Sequence, residues 1–266
     1  MGVIPKSVLE GVDAVIDGCL LADEKFQGFQ YHQKRSWVAL SKRPPSSFNG
    51  ATLIAAMHQC IENNLSKRRA RAPSRDNWSL GTNRRFDAGK TSQHHESDEV
   101  MLERAIVQRW PSDWTSQMPV ASGLFGTGTD KYYAVDLVYD HKRGHYDFIE
   151  LKLKSDTLLC TAMQILGYGL VYLASRQDKA NNLKYDDAVL PLLSASHITL
   201  CVLASEAYYA DCDLEWLENA INEGLNKFAK PDFRMKFRFE KFTFPWKHNS
   251  SPADLPIPLI RERVYQ

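Results

Sequence analysis

Long hydrophobic runs are missing from this 266-residue chain. No window approaches the roughly 18 consecutive apolar residues of a membrane-spanning helix, so none is expected. The first 21 residues do not make a secretory leader, because Glu10, Asp13 and Asp17 interrupt their apolar positions. Cysteine is scarce: Cys19, Cys60, Cys160, Cys201 and Cys212 are odd in number and form no close pair. That spacing excludes a disulfide framework or a zinc ribbon and makes a reducing cytoplasm the expected compartment. Repeats and low-complexity tracts are absent. With 44% hydrophobic and 24% charged residues the composition is that of a globular domain, not of a disordered or collagen-like chain.

Net charge is also small, +1 overall, but it is unevenly placed. Residues 1–90 carry 14 Lys/Arg against 8 Asp/Glu, or +6, and the remainder carries 19 against 24, or −5. A polyanion would be drawn to the first segment, while carboxylates in the second are available for chemistry.

Apolar positions at helical spacing predict a helix from Pro5 to about Ala22 and, capped by Asn49, another to about Arg69. Between them, 28–47 is mixed and ends in Arg43-Pro44-Pro45, a breaker. A basic stretch follows, with Lys67, Arg68, Arg69, Arg71, Arg84 and Arg85, and polar sequence continues to His95. These cations either grip phosphates or form a solvated face. Trp78 and Phe86 among them either stack on bases or pack the segment down. His94, His95 and His145 lack ligand spacing and read as surface residues.

From residue 97 the pattern is clearer. Ser97 caps a helix over 97–109, a short strand is expected around 118–125, and 126–130 is a turn. Two alternating strands, 132–139 and 146–154, flank a hairpin turn at 141–144. A nearly all-apolar helix over 156–175, a buried strand over 198–203, a helix over 213–228 and a strand over 235–244 complete the order α-β-β-β-α-β-α-β.

The chemistry concentrates in the hairpin. A period of two puts Phe148, Glu150, Lys152 and Lys154 on one face, and Asp136 on the preceding strand becomes a cross-strand neighbour of Glu150. The plain reading is an exposed hairpin face with ordinary ion pairs. The alternative is a divalent-cation site, since two carboxylates and a carbonyl suit a hard, oxygen-loving ion. The lysine would then orient or deprotonate a water.

Asp136 followed by Glu150-Leu151-Lys152 resembles the motif of the PD-(D/E)xK, or restriction-endonuclease-like, nuclease superfamily, over roughly residues 96–205. Its α-β-β-β-α-β core is the order read here. Glu99, on the helix before the sheet, is similar to a Glu that completes the metal site in many members. Gln164-Ile-Leu-Gly-Tyr168 resembles the Gln-x-x-x-Tyr motif of the RecB-type branch. Val135 stands where the family's Pro is expected, and Glu103, one turn after Glu99, competes with it for the metal.

The resemblance implies an α/β nuclease domain over 94–266 behind a helical N-terminal extension, 1–93, ending in the basic linker. It implies Mg²⁺ or Mn²⁺ held by Asp136, Glu150, the Leu151 carbonyl and Glu99, with Lys152 and Gln164 completing the catalytic set. Lys67, Arg68, Arg69, Arg71, Arg84, Arg85 and Tyr168 would contact nucleic acid, DNA in preference to RNA, and no membrane. A homodimer is compatible with the family, though no seam announces one. A non-catalytic nucleic-acid- or protein-binding module on the same fold is the alternative.

Overall fold

The computed structural model describes residues 7–67, 77–80, 97–120, 133–153, 156–180, 190–247 and 250–265. Among them the chain is mixed α/β, with seven α-helices and one six-stranded sheet in the order β1-β2-β3-β4-β5-β6. The strands are β1 (Trp114–Pro119), β2 (Ala134–Asp140), β3 (His145–Lys152), β4 (His197–Ser205), β5 (Arg234–Phe242) and β6 (Glu262–Arg263). β1, β2 and β3 form an antiparallel meander, β4 runs parallel to β3, β5 parallel to β4, and β6 antiparallel to β5.

The helices are α1 (Val12–Leu20), α2 (Lys34–Leu40), α3 (Gly50–Ser66), α4 (Asp98–Arg109), α5 (Leu158–Ala180), α6 (Leu190–Leu193) and α7 (Glu215–Asn226). Both expected caps form: the Asn49 side chain accepts from the Thr52 amide at 2.8 Å, and Ser97 from the Val100 amide at 3.3 Å. The expected strand around 118–125 instead lies at Trp114–Pro119, where Trp114, Ser116 and Met118 alternate inward; 121–132 lie outside the described residues. α2, inside the mixed 28–47 stretch, went unread because seven residues with few buried positions leave little periodicity. β6 was missed for the same reason of length.

One large core fills the space between the sheet and α5, α3, α1 and α7. Val8, Val12 and Ile16 of the N-terminal segment share it with Leu217, Ile221 and Phe239. By length and apolar content α5 could cross a membrane, a possibility the sequence reading set aside; here that apolar surface is buried against the sheet and α3. A polar stripe runs along it: Gln164, Tyr168, Tyr172 and Arg176, each one turn apart. Tyr172 donates to the Leu192 carbonyl at 2.7 Å, and Arg176 to those of Leu193 and Ala195.

Trp78 is fully buried, stacked on Phe148 and donating to Ser175 Oγ at 2.9 Å. It packs its segment onto α5 and offers no ring to a base. The other face of the sheet is covered over its upper half by α4 and the C-terminal segment, with Leu102, Ile106, Leu137, Leu151 and Leu255 in a second core.

α3 and α7 cross at unusually close range through Gly50 and Gly224. A Cβ on Gly50 would lie 2.1 Å from the Ala220 carbonyl oxygen, which is backbone and cannot swing aside. Gly50→Ala is therefore expected to cost about 2 kcal/mol or more, read as a lowered urea midpoint with unchanged slope. A wild-type midpoint would show that the crossing has slack.

Candidate active site

Four elements meet at the C-terminal end of β3. The antiparallel registers pair Leu137 with Ile149 on one side of β2, and Ser116 with Leu137 and Met118 with Val135 on the other. On the β1 side pairing skips Asp136, and on the β3 side it ends at Leu137 beside it. Opposite it on β1, Gln117 takes φ 54°, a left-handed conformation unusual for a non-glycine residue in a strand. The backbone group left open on β3 is satisfied by a side chain: the Leu151 amide donates to Asp136 Oδ2 at 3.0 Å.

Glu150 faces α5 and is almost wholly buried. Its Oε1 accepts from Lys152 Nζ at 3.2 Å and from Gln164 Nε2 at 2.7 Å. Gln164 also donates to the Tyr168 hydroxyl at 3.1 Å. Glu150 Oε2 is buried and receives no hydrogen-bond donor, and the Asp136 carboxyl is a close neighbour of the Glu150 carboxyl. Two acceptor groups facing each other out of water are costly unless a proton or a cation lies between them.

α4 adds two more carboxylates. Glu99 Oε1 accepts from the Leu153 amide at 2.9 Å, stapling the end of β3 to the helix. Glu103, one turn on, is buried and accepts from Gln117 Nε2 at 2.7 Å. The Glu103 carboxyl is pushed up to about 8, first by burial and then by the charge of Asp136. Asp136 is raised by burial, and Glu150 is raised well above the usual range by burial and by Asp136. For Lys152 burial works against the ammonium, but Glu150 and then Asp136 outweigh it and hold the group protonated.

The structure thus brings together Asp136, Glu150, Lys152 and Gln164, with Leu151 held between the strands and Glu99 at the rim. Glu103 turns inward where Glu99 had been preferred. Gln117 carried no signal in the sequence, being one polar residue in a short strand. Tyr168 is only 4% exposed and supports Gln164 from below, so it offers no surface to a nucleic acid. Of the basic stretch, Lys67 caps the end of α3 and is exposed; Arg68, Arg69, Arg71, Arg84 and Arg85 lie outside the described residues.

Among the described residues no three His, Cys, Asp or Glu side chains are drawn close enough to enclose a metal by themselves. Asp136, Glu150 and the neighbouring Leu151 carbonyl are hard oxygen donors of the type Mg²⁺ takes when it keeps several waters, and the donorless Glu150 Oε2 fits that role. No family model, no curated protein and no solved structure matches this chain.

The raised carboxyls fix a pH dependence. A carboxyl with a higher pKa folded than unfolded contributes stability that is complete below the unfolded value and is lost as pH rises through the folded one. For Glu103 that window runs from 4.5 to about 8. The metal-free protein should lose a few kcal/mol across it, read as a falling melting temperature, and Glu103→Gln should flatten the decline. A melting temperature that stays level through this range in the wild type would contradict the burial of the cluster.

Proposed function

We propose that this chain is a divalent-metal-dependent nuclease with a restriction-endonuclease-like fold, hydrolysing phosphodiester bonds in DNA. The observation that carries the reading is the buried Glu150 beside the half-buried Asp136, with Glu150 Oε2 lacking a donor and the Lys152 ammonium 3.2 Å from Glu150 Oε1. The element order from α4 through β1, β2, β3 and α5 to β4, with β4 parallel to β3, supports it as the order the resemblance implies. DNA in preference to RNA follows from the family's habit.

Asp136 and Glu150, with the Leu151 carbonyl, would hold Mg²⁺ or Mn²⁺, which when bound acidifies a water and offsets charge on the scissile phosphate. Lys152 is kept cationic by the two carboxylates, so its work is to orient a nucleophile and stabilise charge developing on phosphate oxygens. That narrows the role read from the sequence, which left deprotonation of the water open. Gln164 fixes the Glu150 carboxylate from α5, and Tyr168 fixes Gln164. Glu99 secures the strand end that bears Lys152, and Glu103 holds Gln117 opposite Asp136.

The test is cleavage of single-stranded, double-stranded and branched DNA, with an RNA control, in Mg²⁺, Mn²⁺ or EDTA. Wild-type protein should cut only with metal. Asp136→Ala and Lys152→Ala should each lose at least about 100-fold in rate, and Gln164→Ala should lose less. If both variants cut as the wild type does, the catalytic assignment fails. Metal-independent, salt-sensitive binding without any cutting would favour the non-catalytic module.

A further inference from the structure

Parallel strands are ordinarily covered on both faces. β3, β4 and β5 are not. Among the described residues α4 and the C-terminal segment cover the upper half of one face, and in the lower half His145, His197, Arg234 and Lys236 are left exposed. The registers set its side chains in rows. His145, His197 and Arg234 lie abreast, and Asp147, Thr199 and Lys236 form the next row on the same side. Neighbours are about 5 Å apart across strands and about 7 Å along them.

His145, His197, Arg234 and Lys236 are all exposed, and the two imidazoles pack with ring centroids 4.2 Å apart. Among the described residues neither Arg234 nor Lys236 has a carboxylate partner. The single carboxylate in these rows, Asp147, is buried and taken by His141 at 2.9 Å, Arg238 at 2.8 Å and Arg261 at 2.7 Å. The His197 imidazole is lowered by burial and then by the surrounding positive charge of His145, Arg234 and Lys236, the signature of an uncompensated cationic surface.

We propose that this open half-face is a docking surface for the phosphate backbone of a nucleic acid, with Arg234 and Lys236 as its phosphate contacts. The proposal rests on the nuclease reading for the identity of the polyanion. The patch is separate from the site: its rows lie on the face of the sheet opposite Glu150 and Lys152, and His145 precedes Lys152 by seven residues on β3, about 20 Å along the strand. It would hold nucleic acid that lies outside the stretch seated at Glu150 and Lys152. Charge complementarity selects the occupant, because an apolar partner would leave two unpaired cations buried.

The experiment measures binding of a fluorescent DNA duplex in EDTA across a salt titration, for the wild type and for Arg234→Ala/Lys236→Ala. Both positions are exposed, so an unchanged melting temperature is expected and is checked first. The double variant should bind roughly tenfold more weakly, with a salt slope shallower by about two. It should keep the wild-type rate of metal-dependent hydrolysis of bis(p-nitrophenyl) phosphate, a substrate too small to span both places. Unchanged DNA affinity and slope would overturn the proposal. So would unchanged DNA affinity combined with lost retention on phosphatidylserine vesicles, which would make the occupant a membrane surface. If the wild type hydrolyses no phosphodiester at all, the nuclease reading fails by itself, and the duplex titration still decides the patch.

Discussion

The hydrogen bond from the Leu151 amide to the Asp136 carboxylate is the contact on which the candidate site is built. It substitutes a side chain for a rung of the β2–β3 ladder, so the strands hold together where their backbones stop pairing. The same bond turns Asp136 toward Glu150. With Gln117 in a left-handed conformation on the other side, the middle strand of the meander skips one residue in its pairing with β1 and pairs with β3 only from Leu137 onward. Strain of this type persists only where its surroundings enforce it. Here Glu103 receives the Gln117 amide, and α5 receives Glu150 through Gln164.

β3 is correspondingly two-sided. Toward α5 it presents Phe148, Glu150 and Lys152, and toward α4 it presents Asp147, Ile149 and Leu151. Asp147 is held ionised: burial works to raise it, but His141, Arg261 and Arg238 outweigh that and bring it to about 2. Arg261 also donates to Glu240 at 2.6 Å, so the C-terminal segment is tied to both β3 and β5 beneath the site. Removing one member of such a buried network leaves a charge uncompensated, which gives the last residues of the described chain a structural grip on the strand that bears Glu150.

Much of this was legible in the sequence. Period-two alternation put Glu150 and Lys152 on one face, and the short hairpin set Asp136 across from Glu150, because strand register follows turn length. The caps Asn49 and Ser97 fixed two helix starts within a residue. What escaped depends on contacts distant in sequence. Nothing local distinguishes Glu99 from Glu103: one meets the Leu153 amide and the other turns inward to Gln117, and a helical wheel places both on one stripe. Trp78 could be read either as stacking on bases or as packing its segment down, because the partners that bury it, Phe148, Tyr172 and Ser175, lie some 70 to 100 positions further along the chain.

α5 is a greasy rod, and grease alone sets neither the rotation nor the axial position of a rod. Its one polar stripe does. At one end Gln164 is hooked to Glu150, and at the other Tyr172 and Arg176 are hooked to the carbonyls of the turn that starts β4. A twist of the helix by even one residue would unfasten both ends together. The helix therefore behaves as a keyed shaft, and the orientation of the amide beside Glu150 is referenced to a corner of the fold about three turns away.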